Sequence, residues 1–245
     1  MKPVERPILR ILFEDNHVLA IDKPAGVPVQ ADQSLDPSIN DLVKADLKAR
    51  YGKPGNVFAT AVHRLDRPAS GIVLVAKTSK AASRLSAAFR EDRVDKTYLA
   101  VVEAVRDVHW EKIEGWMVKD RSKNTSRMVA EDTAGAKFAS LSFKSLGRFG
   151  EFTLLQVKLK TGRSHQVRVQ LAYAGMPLAG DKRYGARSAF GKMIGLHAAS
   201  VVFPHPTKDE QVSVIAEPPA SWEEVFGKNL FSAAIKACGT MNETV

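Results

Sequence analysis

Cysteine is nearly absent from this chain, since Cys238 is the only one among 245 residues. A single cysteine excludes an intrachain disulfide framework and is typical of a reducing compartment, so we expect a cytoplasmic protein. Long apolar runs are also absent, because the longest, such as residues 72–76, suit a buried strand and are far too short to span a bilayer. The first ten residues have interspersed charges and no apolar core, so we expect neither an export signal nor a membrane partner.

Sequence motifs for metals and nucleotides are missing too. The histidines at positions 17, 63, 109, 165, 197 and 205 are scattered and form no cluster with zinc-ligand spacing. The chain has no Gly-x-x-x-x-Gly-Lys loop, which would cradle phosphates. We therefore expect no metal and no cofactor.

Positive charge is in excess. Lysine and arginine (36 residues) outnumber aspartate and glutamate (27 residues), which gives a formal net charge of +9. Each phosphate contact made by a basic surface releases counterions, so the excess favours a polyanionic partner. A solvated basic surface that only maintains solubility explains the same charge. Composition alone leaves both explanations open.

Local patterns indicate more strands than helices. Apolar stretches predict strands at residues 11–13, 18–21, 57–63, 71–77, 97–102, 138–143 and 153–160. Helices are predicted for residues 42–50, after a cap at Ser79, for residues 164–174 with Gly175 as the C-terminal cap, and after a capping box of Ser221 and Glu224. Because the helices do not alternate regularly with the strands, we expect an α+β fold around a central mixed or mostly antiparallel sheet.

The loop between the strands predicted at residues 57–63 and 71–77 holds an acidic residue in basic surroundings. Asp66 lies between Arg64 and Arg67. Neighbouring cations favour an ionised carboxylate, which is then available as a nucleophile or a base. A structural ion pair that holds a turn is the more common explanation of such a pattern.

Four ordered motifs favour the chemical explanation. They are Lys23-Pro24-Ala25-Gly26-Val27-Pro28, His63-Arg64-Leu65-Asp66 with Ser70-Gly71, Lys96-Thr97-Tyr98-Leu99-Ala100, and Thr161-Gly162-Arg163-Ser164-His165-Gln166-Val167-Arg168 followed by Gly180-Asp181 and Tyr184-Gly185. Together they resemble the motifs of the RluA-type RNA pseudouridine synthases, over about residues 11 to 206. The resemblance implies the pseudouridine synthase fold and an isomerase that converts uridines of ribosomal RNA, transfer RNA or both into pseudouridine.

The resemblance also implies roles for individual residues. It makes Asp66 the essential carboxylate and Arg163 the active-site arginine beside it. It places Tyr98 beneath the target base. Because a base inside a helix is out of reach, the target must be flipped out, and Arg64 resembles the residue that fills the gap left in the stack.

Four further positions match the family pattern. We interpret His63 and His197 as structural and Arg168 as a phosphate contact, and we expect Leu196 to line the uracil pocket. The route by which the carboxylate acts stays open, because attack on the sugar, attack on the base and removal of a ribose proton all need it ionised beside the glycosidic bond.

The resemblance implies a catalytic domain over residues 11–225, with an N-terminal extension at 1–10 and a C-terminal helix or tail at 226–245. We expect RNA as the partner of a monomeric enzyme. The small basic N-terminal RNA-binding domain of some members has no counterpart before the first motif, so RNA affinity is expected to come from the catalytic domain. That mildly favours compact targets such as a transfer RNA stem-loop, although the shared motifs do not distinguish the two kinds of RNA.

Two features depart from a clear pattern. The family usually has Thr directly before the Ser-Gly of this loop, and this chain has Pro68-Ala69 there. A proline with a fixed φ thus replaces a hydroxyl that could fasten the loop by a hydrogen bond, so the sequence does not determine the loop conformation. Residues 105–137 carry Lys119, Arg121 and Lys123 among polar residues, which fits either a basic RNA-contacting excursion or a solvated hairpin.

Two other functions are the alternatives. A non-catalytic RNA-binding module that keeps the fold would be expected to lose the carboxylate, but Asp66, Tyr98 and Arg163 are all present. A metal-dependent ribonuclease would need convergent carboxylates around Mg²⁺. The acidic residues show no such cluster in the sequence, and activity that survives excess chelator would reject this alternative.

Overall fold

The computed structural model describes residues 9–32, 34–52, 54–190 and 192–240. Parts of the expected N-terminal extension (1–8) and C-terminal tail (241–245) therefore lie outside the described residues. The strands are β1 (Arg10–Glu14), β2 (Val18–Lys23), β3 (Thr60–Ala61), β4 (Ser70–Ala76), β5 (Asp95–Val102), β6 (Glu111–Asp120), β7 (Thr125–Val129), β8 (Lys137–Phe149), β9 (Phe152–Leu159), β10 (Leu196–Pro204) and β11 (Gln211–Ile215). The helices are α1 (Ile39–Tyr51), α2 (Ser79–Arg90), α3 (Gln166–Tyr173), α4 (Ser221–Phe226) and α5 (Lys228–Thr240), and a 3-10 turn spans Lys182–Tyr184.

The strands form one large sheet. Its order is β1-β2-β4-β10-β5-β9-β8-β6-β7, with β11 paired to β10 and β3 paired to β4. β10 runs parallel to β4, whereas the other pairings are antiparallel. The expected α+β fold with a mixed, mostly antiparallel sheet is confirmed.

The centre of the sheet is buried on both faces. Val73 on β4 belongs to a core shared with α1 and α3, and its neighbour Leu74 belongs to a second core shared with α2. Further along the second face, α4 and α5 cover β5 and β10 through Trp222 and Leu230. A strand buried on both faces has no polar alternation, which explains the apolar run at residues 72–76.

The helix starts agree only partly with the sequence pattern. α1 begins earlier than predicted, at a capping box in which Ser38 and Asp41 exchange hydrogen bonds. α2 is capped by Thr78, whose hydroxyl accepts from Ala81 N, so the prediction of Ser79 as the cap is wrong. The capping box predicted for Ser221 and Glu224 is also wrong, because the residue before α4 is Ala220, which already has helical dihedral angles and no side-chain cap.

The segment at residues 105–137 forms a hairpin. β6 pairs with β7 on one side and with β8 on the other, so the hairpin extends the edge of the sheet. The segment is therefore a hairpin, and this form is compatible with RNA contact because its tip carries the exposed Arg121 and Lys123. The strand predicted at residues 57–63 is much shorter than expected and is reduced to β3.

Gly71 brings the loop of Asp66 against the centre of the sheet. Its φ of +111° is in the region that favours glycine, and a Cβ there would overlap the backbone of Ala198. This close approach lets β4 begin directly beside β10, where Ser70 Oγ donates to His197 Nδ1 at 2.9 Å. The loop that precedes Gly71 is thus fixed at the start of a buried strand.

Candidate active site

All four sequence motifs meet in one cleft of about 1450 Å³. Pro28 from the first motif, Asp66 from the second, Tyr98 from the third and Arg168 from the fourth are among its lining residues. Ten of the lining residues are lysine or arginine and four are aspartate. An excess of positive charge within a concave surface attracts a polyanion.

Asp66 and Arg168 form an ion pair inside this cleft. Arg168 Nη1 lies 3.1 Å from Asp66 Oδ2. The other side of the guanidinium makes a bidentate contact with the buried Asp181, with Nε to Oδ2 at 2.7 Å and Nη2 to Oδ1 at 2.9 Å. Burial alone would lower the pKa of Arg168, but its hydrogen bonds to Asp181 and the charge of Asp66 outweigh burial and raise it. Arg168 is therefore a permanent, directed cation beside Asp66.

The structure corrects the partner that we expected for Asp66. Arg163 is exposed on the cleft rim just before α3, and its Nε donates to the carbonyl of Phe138 at 2.8 Å. Within the described residues it makes no ion pair with Asp66. Arg168, which we expected to contact phosphate, is instead buried and occupied by two carboxylates. Because Arg163 precedes the helix and Arg168 lies on its buried surface, only Arg168 reaches Asp66.

Within the described residues, neither of the two arginines that flank Asp66 in the sequence forms an ion pair with it. Arg67 donates to the Gly26 carbonyl at 2.8 Å and pairs with Asp32 and Asp36. Arg64 is exposed and lines the cleft, and no carboxylate of the described residues pairs with it. The cation that faces Asp66 thus comes from Arg168, 102 residues further along the chain.

The loop of Asp66 closes without the threonine hydroxyl that the family usually supplies. Ala69 N donates to the Asp66 carbonyl at 3.0 Å, and Ile194 N donates to the Pro68 carbonyl at 3.2 Å. Ala69 is completely buried. Backbone hydrogen bonds therefore hold the turn in place of the missing side chain.

Lys23 supports the same loop from beneath. It is completely buried, and its Nζ donates to the carbonyls of Pro24 at 2.9 Å, Val27 at 2.9 Å and Arg67 at 3.2 Å. Burial lowers the pKa of Lys23 to about 7. One lysine thus joins the first motif to the loop that carries Asp66.

Tyr98 lies in the cleft wall on β5. Its ring is buried to 8% exposure, and its hydroxyl makes no hydrogen bond within the described part of the chain. Burial and the negative charge of Asp66 both raise the pKa of Tyr98 above its ordinary value. The hydroxyl therefore stays protonated at neutral pH.

A short chain of polar groups connects Asp66 to the hairpin. Ser126 N on β7 donates to the Tyr184 hydroxyl at 3.0 Å, and this hydroxyl lies 2.7 Å from His165 Nδ1. If the hydroxyl donates its proton to Nδ1, His165 carries its own proton on Nε2, which lies 3.8 Å from Asp66 Oδ1. Burial lowers the pKa of His165, so this neutral form prevails at pH 7.

His63 and His197 are structural, in agreement with the sequence interpretation. His63 Nε2 accepts from Leu74 N at 3.0 Å, and His197 Nε2 donates to the Ala216 carbonyl at 3.0 Å. Burial lowers the pKa of each to about 4. Both rings are therefore neutral and bonded to the sheet.

Leu196 does not line the cleft, in contrast to the expectation from the sequence. It starts β10 and packs in the core with 4% exposure. Ile194 lines the cleft instead. The chain turns between the two residues, because Leu196 N donates to the Ile194 carbonyl at 2.7 Å, so they do not share one face as alternate residues of a strand would.

Sequence reasoning missed three residues of the site: Asp181, which orients Arg168, and the pair His165 and Tyr184. Asp181 and Tyr184 stand in the Gly-Asp and Tyr-Gly parts of the fourth motif, but the sequence did not show that they flank Arg168. The Tyr184 ring lies 5.0 Å from the Arg168 guanidinium carbon. Their place in the fourth motif was the only sequence signal for them, because the burial of Arg168 is visible in the structure alone.

Two kinds of feature are absent from the described residues. No group of three or more histidine, cysteine or acidic side chains there could hold a metal ion. No helix there is long and apolar enough to cross a membrane.

Comparison with known proteins identifies related chains. A family model described as RNA pseudouridylate synthase matches residues 17–173. The chain is 34% identical over 225 residues to Ribosomal large subunit pseudouridine synthase C of Vibrio cholerae, covering 89% of this chain and 68% of that protein. It is 34% identical over 215 residues to the protein of the same name from Escherichia coli K12, covering 84% of this chain and 65% of that protein.

Solved structures show the same architecture. Human RNA Pseudouridylate Synthase Domain Containing 1 superposes with a TM-score of 0.71 at 23% identity, over 94% of this chain and 90% of that one. Human RNA Pseudouridylate Synthase Domain Containing 4 superposes with a TM-score of 0.71 at 21% identity, over 94% and 93%. At these identities the likeness shows the fold alone.

Proposed function

This chain belongs to the RNA pseudouridylate synthase family, and from that premise we propose that Asp66 is its catalytic carboxylate, acting on a flipped uridine of large-subunit ribosomal RNA. The reaction class is that of the family: the enzyme is an RNA pseudouridine synthase, an isomerase. The observation that carries the proposal is the 3.1 Å contact of Asp66 with Arg168 inside a basic cleft.

Pseudouridine formation breaks the N-glycosidic bond, turns the uracil and rejoins it through carbon to the same ribose. Each route requires an ionised carboxylate beside that bond. Arg168 Nη1 donates to Asp66 Oδ2 at 3.1 Å and places a cation beside that carboxylate. Asp181 holds the guanidinium in one direction, so the carboxylate is oriented before the substrate arrives and little of the barrier is spent on ordering it.

Tyr98 supplies the surface on which the uracil stacks. Its ring faces the cleft beside Asp66. Because the raised pKa keeps the hydroxyl protonated, we assign Tyr98 to stacking and not to proton removal. Ile194 takes the place of Leu196 as the apolar wall of the uracil pocket.

Base flipping is assigned to Arg64. Its guanidinium is exposed at the cleft and carries no carboxylate partner among the described residues, so it is free to enter the stack that the uridine leaves. A planar guanidinium stacks on bases, which an ammonium does not. Arg163, also exposed at the rim, is assigned to a backbone phosphate.

The RNA target is proposed from the relatives. The two relatives from Vibrio cholerae and Escherichia coli are named for the ribosomal large subunit. No feature of the described cleft favours transfer RNA in particular, so ribosomal RNA is the first candidate and transfer RNA the second.

The remaining proposals concern the organisation of the enzyme. We assign the catalytic domain to residues 11–240, since the boundary expected at residue 225 falls inside α4 and α5 packs on the sheet. We propose that the enzyme works as a monomer and without a metal ion.

The experiment offers the purified chain unmodified large-subunit ribosomal RNA and, separately, unmodified transfer RNA, and maps pseudouridine by reverse transcription. We expect new pseudouridine in the ribosomal RNA. Pseudouridine confined to transfer RNA would contradict the target, and none in either would contradict the function. A short stem-loop that folds without Mg²⁺ then allows turnover to be measured in excess chelator, where we expect it to persist.

A further inference from the structure

A strip of exposed and half-buried aromatic and basic side chains lies on the second face of the sheet, at its β6–β8 end. Alternate residues of β6 share a face of the sheet, so Lys112 and Trp116 lie on the same face. Trp110 comes just before the strand and continues this alternation. Lys112 pairs with Ser142 of β8, and Ser142 pairs with Lys158 of β9. We call this surface the aromatic–basic strip: Trp110, Lys112, Trp116, Phe138, Lys144 and Lys158.

Trp110 lies at the end of the strip that is farther from the cleft. It is 40% exposed, and the Nζ atoms of Lys144 and Lys158 each lie 5.3 Å from its ring centroid. A shallow cavity of about 330 Å³ is bordered by Trp110, Lys112 and Lys158. Both ammonium groups lie over the indole ring in cation–π contact. A base that stacks on the exposed part of Trp110 therefore brings its phosphates to two charges.

The acidic residues near the strip do not cancel these charges. Glu111, which also lines this cavity, lies 3.6 Å from Arg106 Nη2. Glu114 is held by Lys112 at 2.6 Å and by Ser140 Oγ at 2.9 Å. Within the described residues no carboxylate pairs with Lys144 or Lys158, so both ammonium groups are available to a ligand.

The strip is continuous with the catalytic cleft. Phe138, which is 39% exposed, lines the cleft and packs edge to face on Trp116 with ring centroids 5.7 Å apart. Lys160, two residues after Lys158, lines the cleft too. From Trp116 to Trp110 the strand spans roughly 20 Å at about 3.3 Å per residue. An RNA strand that leaves the cleft over its rim therefore meets the strip directly.

We propose that the aromatic–basic strip binds single-stranded RNA flanking the target, with one base stacked on Trp110 and adjacent phosphates on Lys144 and Lys158. Stacking on exposed aromatic rings combined with basic side chains is the general means of holding single-stranded nucleic acid, and the family acts on RNA. The inference rests on the proposed function for the position of the target in the cleft, but binding by the strip does not require Asp66.

The test compares a uridine-containing stem-loop with the same stem-loop carrying a single-stranded oligouridine flank on each end. Each flank has about six nucleotides, which is within the usual site size of surfaces that bind single-stranded nucleic acid. Dissociation constants are measured by fluorescence anisotropy for the full chain. We expect Trp110→Ala to weaken binding of the flanked RNA about ten-fold and to leave the unflanked RNA unchanged. Trp110→Phe, which keeps a ring, should bind both RNAs nearly as the wild type does.

Two further variants complete the design. Lys158→Gln leaves the aromatic rings intact and should reduce the salt dependence of flanked-RNA binding by about one phosphate contact. Tyr173→Ala removes a 73% exposed ring on α3, outside the strip, and should change neither affinity.

Equal affinity of Trp110→Ala and the wild type for the flanked RNA would overturn the proposal, as would an equal loss for both RNAs. Pseudouridine formation on the unflanked stem-loop separates the two hypotheses. If the wild type modifies neither RNA, the proposed function fails. The difference in dissociation constant between the flanked and unflanked RNA still tests whether the aromatic–basic strip binds single-stranded RNA.

Discussion

Arg168 Nη1 lies 3.1 Å from Asp66 Oδ2, although 102 residues of chain separate them. The same guanidinium is fixed from behind by the buried carboxylate of Asp181. A buried charge that loses its partner is strongly destabilising, so this contact is at once part of the site and part of the fold. It also makes Arg168, and not Arg163, the cation of the site.

Exchanging each arginine for lysine distinguishes the two. Arg168→Lys keeps the charge but loses the fork that contacts both carboxylates. We expect kcat to fall about a hundred-fold, which is the cost typical of a reacting group displaced by about 1 Å. Arg163→Lys, the matched control on the cleft rim, should keep kcat and change KM only slightly. Steady-state kinetics on the stem-loop substrate decide; a loss of kcat confined to Arg163→Lys would reverse the assignment.

The sequence analysis assigned Arg163 and not Arg168 as the partner of Asp66, and this error shows what the sequence does not determine. Both stand in one motif five positions apart, and their residue type is the same. Which one reaches Asp66 depends on where α3 begins and which surface it buries, and the helix starts only at Gln166. The four motifs, by contrast, share one cleft, because each supplies at least one of its lining residues.

Tyr184→Phe tests the polar chain between the hairpin and Asp66. The variant keeps the ring beside Arg168 and removes the hydroxyl that bonds His165 and Ser126. Burial is the main cause of the lowered pKa of His165. Where the Tyr184 hydroxyl donates to Nδ1, its removal takes away a hydrogen bond to the neutral ring, so we expect the pKa of His165 to be lowered less in the variant. The positive charges of Arg168, Arg183 and Lys119 also lower the pKa of His165, whereas the negative charge of Asp66 raises it. With a higher pKa in the variant, the ring takes up a proton beside Asp66 at a higher pH.

We therefore expect the acidic limb of the kcat profile to move to higher pH in Tyr184→Phe, with kcat near the wild-type value at pH 8. The measurement is kcat against pH for both proteins. Tyr51→Phe, whose hydroxyl bonds Glu14 far from the site, is the control. Superimposable profiles for Tyr184→Phe and the wild type would contradict the coupling.

Arg64→Ala tests base flipping. The side chain is exposed at the cleft and pairs with no carboxylate of the described chain, so its removal should leave stability unchanged. We expect a larger loss in the rate of pseudouridine formation than in RNA affinity, because the unstacking cost of a few kcal/mol is no longer compensated. Single-turnover rates and binding constants on one RNA check this; equal losses in both would argue against the assignment.

His197 predicts how stability depends on pH. Burial lowers its pKa to about 4 in the folded state, against about 6.5 in the unfolded chain. Between these values the unfolded state binds a proton that the folded state does not, so stability is lost as pH falls from 6.5 to 4, by about 3 kcal/mol for one such group. His63 contributes in the same direction.

Urea unfolding at pH 7 and pH 4.5 measures this effect. In His197→Gln the difference in unfolding free energy between the two pH values should shrink by about 2 kcal/mol. His109→Gln, at an exposed position, should leave the difference unchanged. An undiminished difference in His197→Gln would mean that this ring is not held neutral by burial.

The sequence predicted the wrong residue where two nearby side chains have the same chemical character. Thr78 and Ser79 both have a hydroxyl, and only the geometry of α2 shows that Thr78 is its cap. Ile194 and Leu196 are both apolar, and a turn between them determines which one lines the cleft. Signals of backbone conformation were more reliable: Gly175, predicted to end α3, has a φ of +77°.

The catalytic carboxylate is the central claim, and tritium release from carbon five of uridine tests it most directly. Asp66→Asn keeps the size of the side chain and removes its charge, so Arg168 loses an ion pair while the cleft keeps its shape. With equal folding by circular dichroism and equal RNA binding, we predict tritium release by the wild type and none by Asp66→Asn. Release by Asp66→Asn at the wild-type rate would contradict the account.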